Sequence, residues 1–256
     1  MLAVISPAKT LDFDSPTPAH KTTTLRFSDE AATLVDIMRT YTQQDLQELM
    51  AISEKIAAEN VTRFSQWTWP MPKKRSRAAV FAFKGDVYSG LDAYQLTAEQ
   101  LAYVNRHVRI LSGLYGLLRP TDKILPYRLE MGKKVRTAEG NDLYSFWRNK
   151  IATVLRNDLK ATKEHTLVNL ASTEYFRSVA PFVKDCTVIT PVFKDWKNGQ
   201  YKVISFFAKK ARGAMVRYMA EQQLTRPDSL KAFSVDGYAF NEAESSATEW
   251  VFLRRQ

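Results

Sequence analysis

The sequence predicts an α/β protein, a mixed sheet core with surrounding helices, and three observations lead there. Short apolar runs, Leu2 to Ser6 and Leu167 to Ala171, stop at proline or serine, as buried strands do. Segments with apolar residues at helical spacing lie between such runs, some opened by capping residues. Asn198-Gly199, the strongest short turn signal in the chain, joins Cys186 to Val192 and Tyr201 to Phe206 as a hairpin.

In chain order, Leu2 to Ser6 reads as a buried first strand, and Ala8-Lys9-Thr10 then places a lysine and a hydroxyl where the chain leaves the sheet. Asp14 to Ala19 is loop. Thr42 caps a helix, and Ile37, Leu46, Leu49, Met50, Ile52 and Ile56 form the buried stripe of an acidic helical scaffold. Trp67 to Pro72 is a loop, followed by the basic patch Lys73-Lys74-Arg75-Ser76-Arg77, whose neighbouring aromatics either stack on bases or anchor the loop. Ala78 to Phe83 reads as a strand whose exit presents Lys84, Gly85, Asp86 and Tyr88 together. The capping box Thr97-Ala98-Glu99-Gln100 starts a helix that runs to about His107, before a strand or helix end at Val108 to Leu111. Asp142 opens a helix with the stripe Leu143, Phe146, Trp147, Ile151, Val154 and Leu155. Ser172 caps a helix start, and the helix from Phe207 carries Lys209, Lys210 and Arg212 against its own dipole, as suits a waiting anion or facing acids. Short strands near Tyr238 and Val251 finish the chain.

The 256 residues, 45% hydrophobic and 12% aromatic, suffice for a large core and exclude disorder. No apolar run approaches the roughly 18 residues of a membrane span, and the start lacks the features of a signal peptide, so a cytoplasmic protein is expected. One cysteine, Cys186, excludes an internal disulfide, and His20, His107 and His165 lack ligand spacing, so neither metal nor cofactor is expected. The net charge of +10 is segregated. Residues 28 to 60 hold seven acids against Arg39 and Lys55, whereas 106 to 136 hold eight bases and two acids, and 201 to 217 five bases and no acid. Such segregation attracts phosphates or anionic small molecules, or it serves solubility.

The stretch Leu111-Ser112-Gly113-Leu114-Tyr115-Gly116-Leu117-Leu118-Arg119-Pro120, continuing through Pro126-Tyr127-Arg128-Leu129-Glu130-Met131-Gly132, sets three of the nine glycines in apolar and basic surroundings. Glycine there either lets a phosphate approach the backbone or makes a packing turn.

Together with Ile5-Ser6-Pro7-Ala8-Lys9-Thr10-Leu11, Phe83-Lys84-Gly85-Asp86-Val87-Tyr88, Asp142-Leu143-Tyr144, Asn169-Leu170-Ala171-Ser172, Glu174-Tyr175-Phe176, Ile204-Ser205 and Ala208-Lys209-Lys210-Ala211-Arg212-Gly213, these motifs resemble the YaaA family of peroxide-stress proteins over nearly the whole chain. The resemblance implies one domain over residues 1 to 256, on a fold of the family's own. It also implies a cytoplasmic role in limiting free iron and oxidative DNA damage, and duplex DNA binding through a basic cleft with a helix-hairpin-helix-like element. By position, residues 97 to 132 are the candidate for that element.

Two functions follow. In the first, duplex DNA is the partner: the backbone at Gly113 and Gly116 meets phosphates while Lys9, Lys84, Arg109, Arg119, Arg128, Lys209, Lys210 and Arg212 neutralise charge with little sequence specificity. The second is an enzyme acting on an anionic or nucleotide-like small molecule, with Lys9, Asp86, Glu130 and Lys209 as catalytic candidates and Lys9 or Lys209 as base or nucleophile after desolvation. Asp86, Glu130, Asp142 and Glu174 are of little use to a DNA groove, because carboxylates repel phosphates; they serve either that chemistry or ion pairs that hold the bases in place. A closed pocket lined by Lys9, Arg128, Glu130 and Lys209 favours the enzyme, and an open groove of duplex width favours DNA.

Overall fold

The structure, a computed structural model, describes residues 1–161 and 165–255. The chain opens with strand β1 (Leu2–Ile5), buried along its whole length, and a short β2 (Thr10–Leu11). Three helices follow: α1 (Ser28–Arg39), α2 (Gln43–Met50) and α3 (Glu54–Gln66). Thr42 caps α2 as expected, and Asp45 returns the bond to complete a capping box. Ala78 to Phe83 is not a strand. Only β3 (Arg77–Ala78) and β4 (Phe83–Lys84) are extended, with one helical turn, α4 (Ala79–Ala82), between them. An all-apolar run buried on every side carries no period that could tell strand from helix.

Beyond β4 come α5 (Asp86–Leu91) and α6 (Ala98–His107), the latter capped by the Thr97–Gln100 box. Next are β5 (Val108–Ser112), β6 (Gly116–Leu118) and β7 (Lys123–Ile124). Residues 97 to 132 are therefore one helix and a β-hairpin followed by a further short strand, in place of the expected helix-hairpin-helix. The stripe from Leu143 to Leu155 divides into α7 (Leu143–Trp147), capped by Asp142, and α8 (Lys150–Ala161), because Arg148 turns the chain with φ 39°. The remaining elements are β8 (Thr166–Leu170), α9 (Thr173–Phe176), β9 (Thr187–Lys197), β10 (Gln200–Lys202), α10 (Ser205–Glu221), β11 (Ala239–Asn241) and β12 (Glu249–Arg254). β9 and β10 pair antiparallel across Asn198 and Gly199, both with positive φ, as the sequence predicts, but the second strand stops at Lys202, and Ser205 and Phe206, expected in it, belong to α10.

One eight-stranded mixed sheet organises the described residues, in the order β11-β12-β9-β8-β1-β5-β6, with β10 on β9. The inner strands β12, β9, β8, β1 and β5 run parallel, and β6 and β11 are antiparallel edges. From β1 the chain builds β5 and β6 on one side, then returns to build β8 and β9 on the other. The order therefore reverses between β1 and β8, the kind of position at whose strand ends open α/β sheets bind ligands. α10 packs on α5, α6 and β9. No helix of the described residues is long and apolar enough to cross a membrane.

Candidate functional site: a cationic cavity at the strand-order reversal

A cavity of about 510 Å³ opens at the carboxyl ends of β1 and β8. Proline and serine end these strands, so the backbone beyond them is free to turn and offer polar groups. Ser6 to Thr10 forms one wall after β1, and Leu170 and Ser172 contribute from β8. The two exits are tied together: the Ser172 N–H donates to Ser6 Oγ at 2.9 Å, and the Tyr88 hydroxyl donates to the Ser6 carbonyl at 3.1 Å. Lys84 and Asp86 come from the β4–α5 junction, and Lys209 and Arg212 from α10.

Glycines let α5 and α10 bring these residues close. A Cβ on Gly213 would stand 1.8 Å from the Val87 carbonyl, and one on Gly90 would stand 2.0 Å from the Lys210 carbonyl, so only glycine fits where these helices meet.

Of the cations expected from sequence, Lys9, Lys84, Lys209 and Arg212 meet in this cavity. Arg128 sits just behind it, lining an adjoining space of about 10 Å³ and reaching Glu130 Oε1 at 3.2 Å. Lys9 reaches the same oxygen at 3.4 Å; its side chain is 67% exposed, that of Glu130 only 6%. Glu130 Oε2 is buried without a hydrogen-bond partner. Lys84 and Lys209 are exposed, and neither makes an ion pair with the described residues. Arg212 is half-buried, likewise without an ion pair to them, and desolvation lowers its pKa from the ordinary arginine value. Lys9 and Lys209 both stay in water, so neither receives the desolvation that a lysine base or nucleophile needs. Burial, reinforced by neighbouring tyrosines, raises the Tyr88 and Tyr175 hydroxyls well above their usual range, leaving both neutral at the cavity wall, with the Tyr88 proton committed to the Ser6 carbonyl.

The other expected residues serve the fold. Arg109 is buried; it pairs with Asp158 on α8 and donates to the Asn105, Arg106 and Val108 carbonyls where α6 ends. Arg119 pairs with Asp122 at 3.0 Å and with the Thr24 carbonyl at 2.8 Å, and Lys210 turns to Asp236 at 3.4 Å. The glycine turn is closed to phosphate. A Cβ at Gly113 would meet the Leu129 carbonyl at 2.3 Å, and one at Gly116 would meet the Trp147 ring at 2.8 Å. Trp147 Nε1 donates to the Gly113 carbonyl at 2.9 Å, completing a packing turn. Asp142 caps α7 through Ser145, and Glu174, at the cavity, accepts the Gly132 N–H at 2.9 Å.

Sequence reasoning missed Asp158 and Arg26, which both engage around Arg109; no spacing rule links positions so far apart. The basic patch, by contrast, takes a place of its own. Lys74, Arg75 and Arg77 join Lys123 and His20 around a second opening of about 330 Å³ whose lining contains no carboxylate. Trp67, before the patch in sequence, is buried and donates to the Tyr115 hydroxyl, so it anchors the loop.

Comparison with known proteins agrees with the motifs. The family model described as "Peroxide stress protein YaaA" matches residues 1–244. A UPF0246 protein of Teredinibacter turnerae is 52% identical over 256 residues, covering all of both chains. UPF0246 proteins of Alteromonas mediterranea and Aliivibrio fischeri are 51% and 50% identical over all of this chain and 99% of theirs. On this evidence, from its first strand to residue 244, the chain belongs to the peroxide stress protein YaaA family.

Proposed function

We propose that this protein contributes to peroxide resistance by binding a phosphate-bearing small molecule in the cavity between β1 and β8. One observation carries the reading: Lys84, Lys209 and the half-buried Arg212 face one open cavity without a carboxylate partner among the described residues. A guanidinium partly withdrawn from water is costly unless an anion approaches it, and a bound phosphate would relieve that cost. The volume falls in the range of small-molecule sites. Asp86, Glu130 and Glu174 on the same walls suit a compact ligand with polar groups better than a uniform phosphate backbone. Any chemistry would use Glu130 or the neutral tyrosines in preference to a lysine nucleophile.

Calorimetric titration with inorganic phosphate and sugar phosphates tests the reading. Arg212→Leu and Lys209→Glu are expected to weaken binding by about tenfold or more each, the worth of a charge-assisted hydrogen bond. Unchanged affinity in both variants would overturn it.

A second reading keeps duplex DNA as the partner, moved from the glycine turn to the carboxylate-free cluster of Lys74, Arg75, Arg77 and Lys123. It predicts a log affinity falling linearly with log salt, and Lys74→Glu with Lys123→Glu flattening that slope by about 2. Equal duplex affinity at low and moderate salt would exclude it. Protection from iron is indirect in either reading. Among the described residues no group of three or more His, Cys, Asp or Glu side chains could hold an ion. A cytoplasmic location belongs to both readings and is checked by cell fractionation.

A further inference from the structure

Glu130 lines the cavity, yet its carboxylate is only half used. Oε1 is shared between Arg128 at 3.2 Å and Lys9 at 3.4 Å, both longer than charge-assisted hydrogen bonds usually are. Oε2 has no donor, although the side chain is only 6% exposed. A buried carboxylate oxygen without a donor is costly, and such an atom at a cavity wall calls for a specific explanation. Neighbouring Glu174 makes the contrast, since its Oε1 is met by the Gly132 N–H.

Resting on the reading of this cavity as an anion site, we infer that Glu130 is a specificity residue: Oε2 accepts a hydrogen bond from an N–H group of the ligand, whose class is a phosphorylated nucleoside. The two ends of the site ask for opposite chemistry. Lys84, Lys209 and Arg212 want an anion, whereas Glu130 repels one and wants a donor. Inorganic phosphate satisfies only the first. A nucleotide carries a phosphate and, at a distance from it, a base edge bearing N–H donors. Val87, Tyr88, Leu170 and Tyr175 add an apolar wall suited to a flat base.

Oε2 is closed to solvent as the site stands, and Lys9, lying against Oε1 of the same carboxylate, is the neighbour that must move for a ligand to reach it. The lysine ammonium is mostly in water and its long contact to Glu130 is of the weak, exposed kind, so it can leave the carboxylate and turn to the incoming phosphate. The same nucleotide unit is offered by a free mononucleotide or by the phosphorylated end of a strand.

The test is a calorimetric panel on the full chain: inorganic phosphate, ribose 5-phosphate, the four ribonucleoside 5′-monophosphates, and a short 5′-phosphorylated single strand. At least one mononucleotide, or the strand, is expected to bind about tenfold or more tighter than ribose 5-phosphate. Glu130→Gln is expected to erase that margin while changing ribose 5-phosphate affinity less than about threefold. Equal affinity for ribose 5-phosphate and every nucleotide ligand would overturn the role of Glu130 and leave the anion site standing. Failure of every phosphate compound to bind would overturn both. The wild-type panel decides the matter even if Glu130→Gln does not fold.

Discussion

Arg109 and Arg212 are the same side chain put to opposite uses. Arg109 ends at Asp158 and at three carbonyls of its own segment, whereas Arg212 reaches the cavity with no ion pair among the described residues. Arg109→Ala is therefore expected to cost about 1–3 kcal/mol in urea unfolding, since it removes a charge-assisted hydrogen bond to Asp158, which keeps Arg26, and takes the donor from the carbonyls at the end of α6, and to leave phosphate affinity of the folded protein within twofold. Gly113→Ala, forced against the Leu129 carbonyl, is expected to cost about 1–3 kcal/mol by overpacking, again without loss of binding. His107 adds a pH dependence. Burial lowers its pKa, opposed by its hydrogen bond to the Met1 carbonyl, so the folded state favours the neutral ring. The unfolded chain then binds more protons below its own value of about 6.5. The contribution is complete above that pH and is lost as pH falls through the window down to the lowered folded value. Urea midpoints between pH 5 and 7 should show this loss, and His107→Gln should remove it.

Elements were legible where one local signal decides them. The cap at Thr42, the box at Thr97, the Asp142 helix start, the Asn198-Gly199 turn and the exit of β1 all stand as the letters imply. Those that depend on what packs around them were not. Ala78 to Phe83 has no period to read, and the apolar stripe hides the break at Arg148. Gly113 and Gly116 do allow a close approach, but what approaches is the Leu129 carbonyl and the Trp147 ring, and no short-range pattern names that partner. The contact of α5 with α10 is likewise invisible in sequence, yet it aligns Asp86 with Lys209 and Arg212. Gly213→Ala is expected to push these helices apart, lowering thermal stability and phosphate affinity together, whereas Gly199→Ala, with nothing near its Cβ, should lower stability alone through its positive φ.

At the scale of the whole molecule, the reversal of strand order at β1 and β8 explains why residues as distant as Lys9, Lys84, Glu130, Glu174 and Arg212 share one space. The segregation of charge was readable from composition, but its division between a cavity with carboxylates and a cluster without them was not, because each draws on separate loops. That division makes one measurement decisive. Titration of phosphate ligands into the wild-type protein, Arg212→Leu, and the Lys74→Glu/Lys123→Glu variant should show binding lost by about tenfold or more in the first variant and kept in the second. Binding lost only in the second would put the anion site on the outer basic cluster and contradict the assignment to the cavity between β1 and β8.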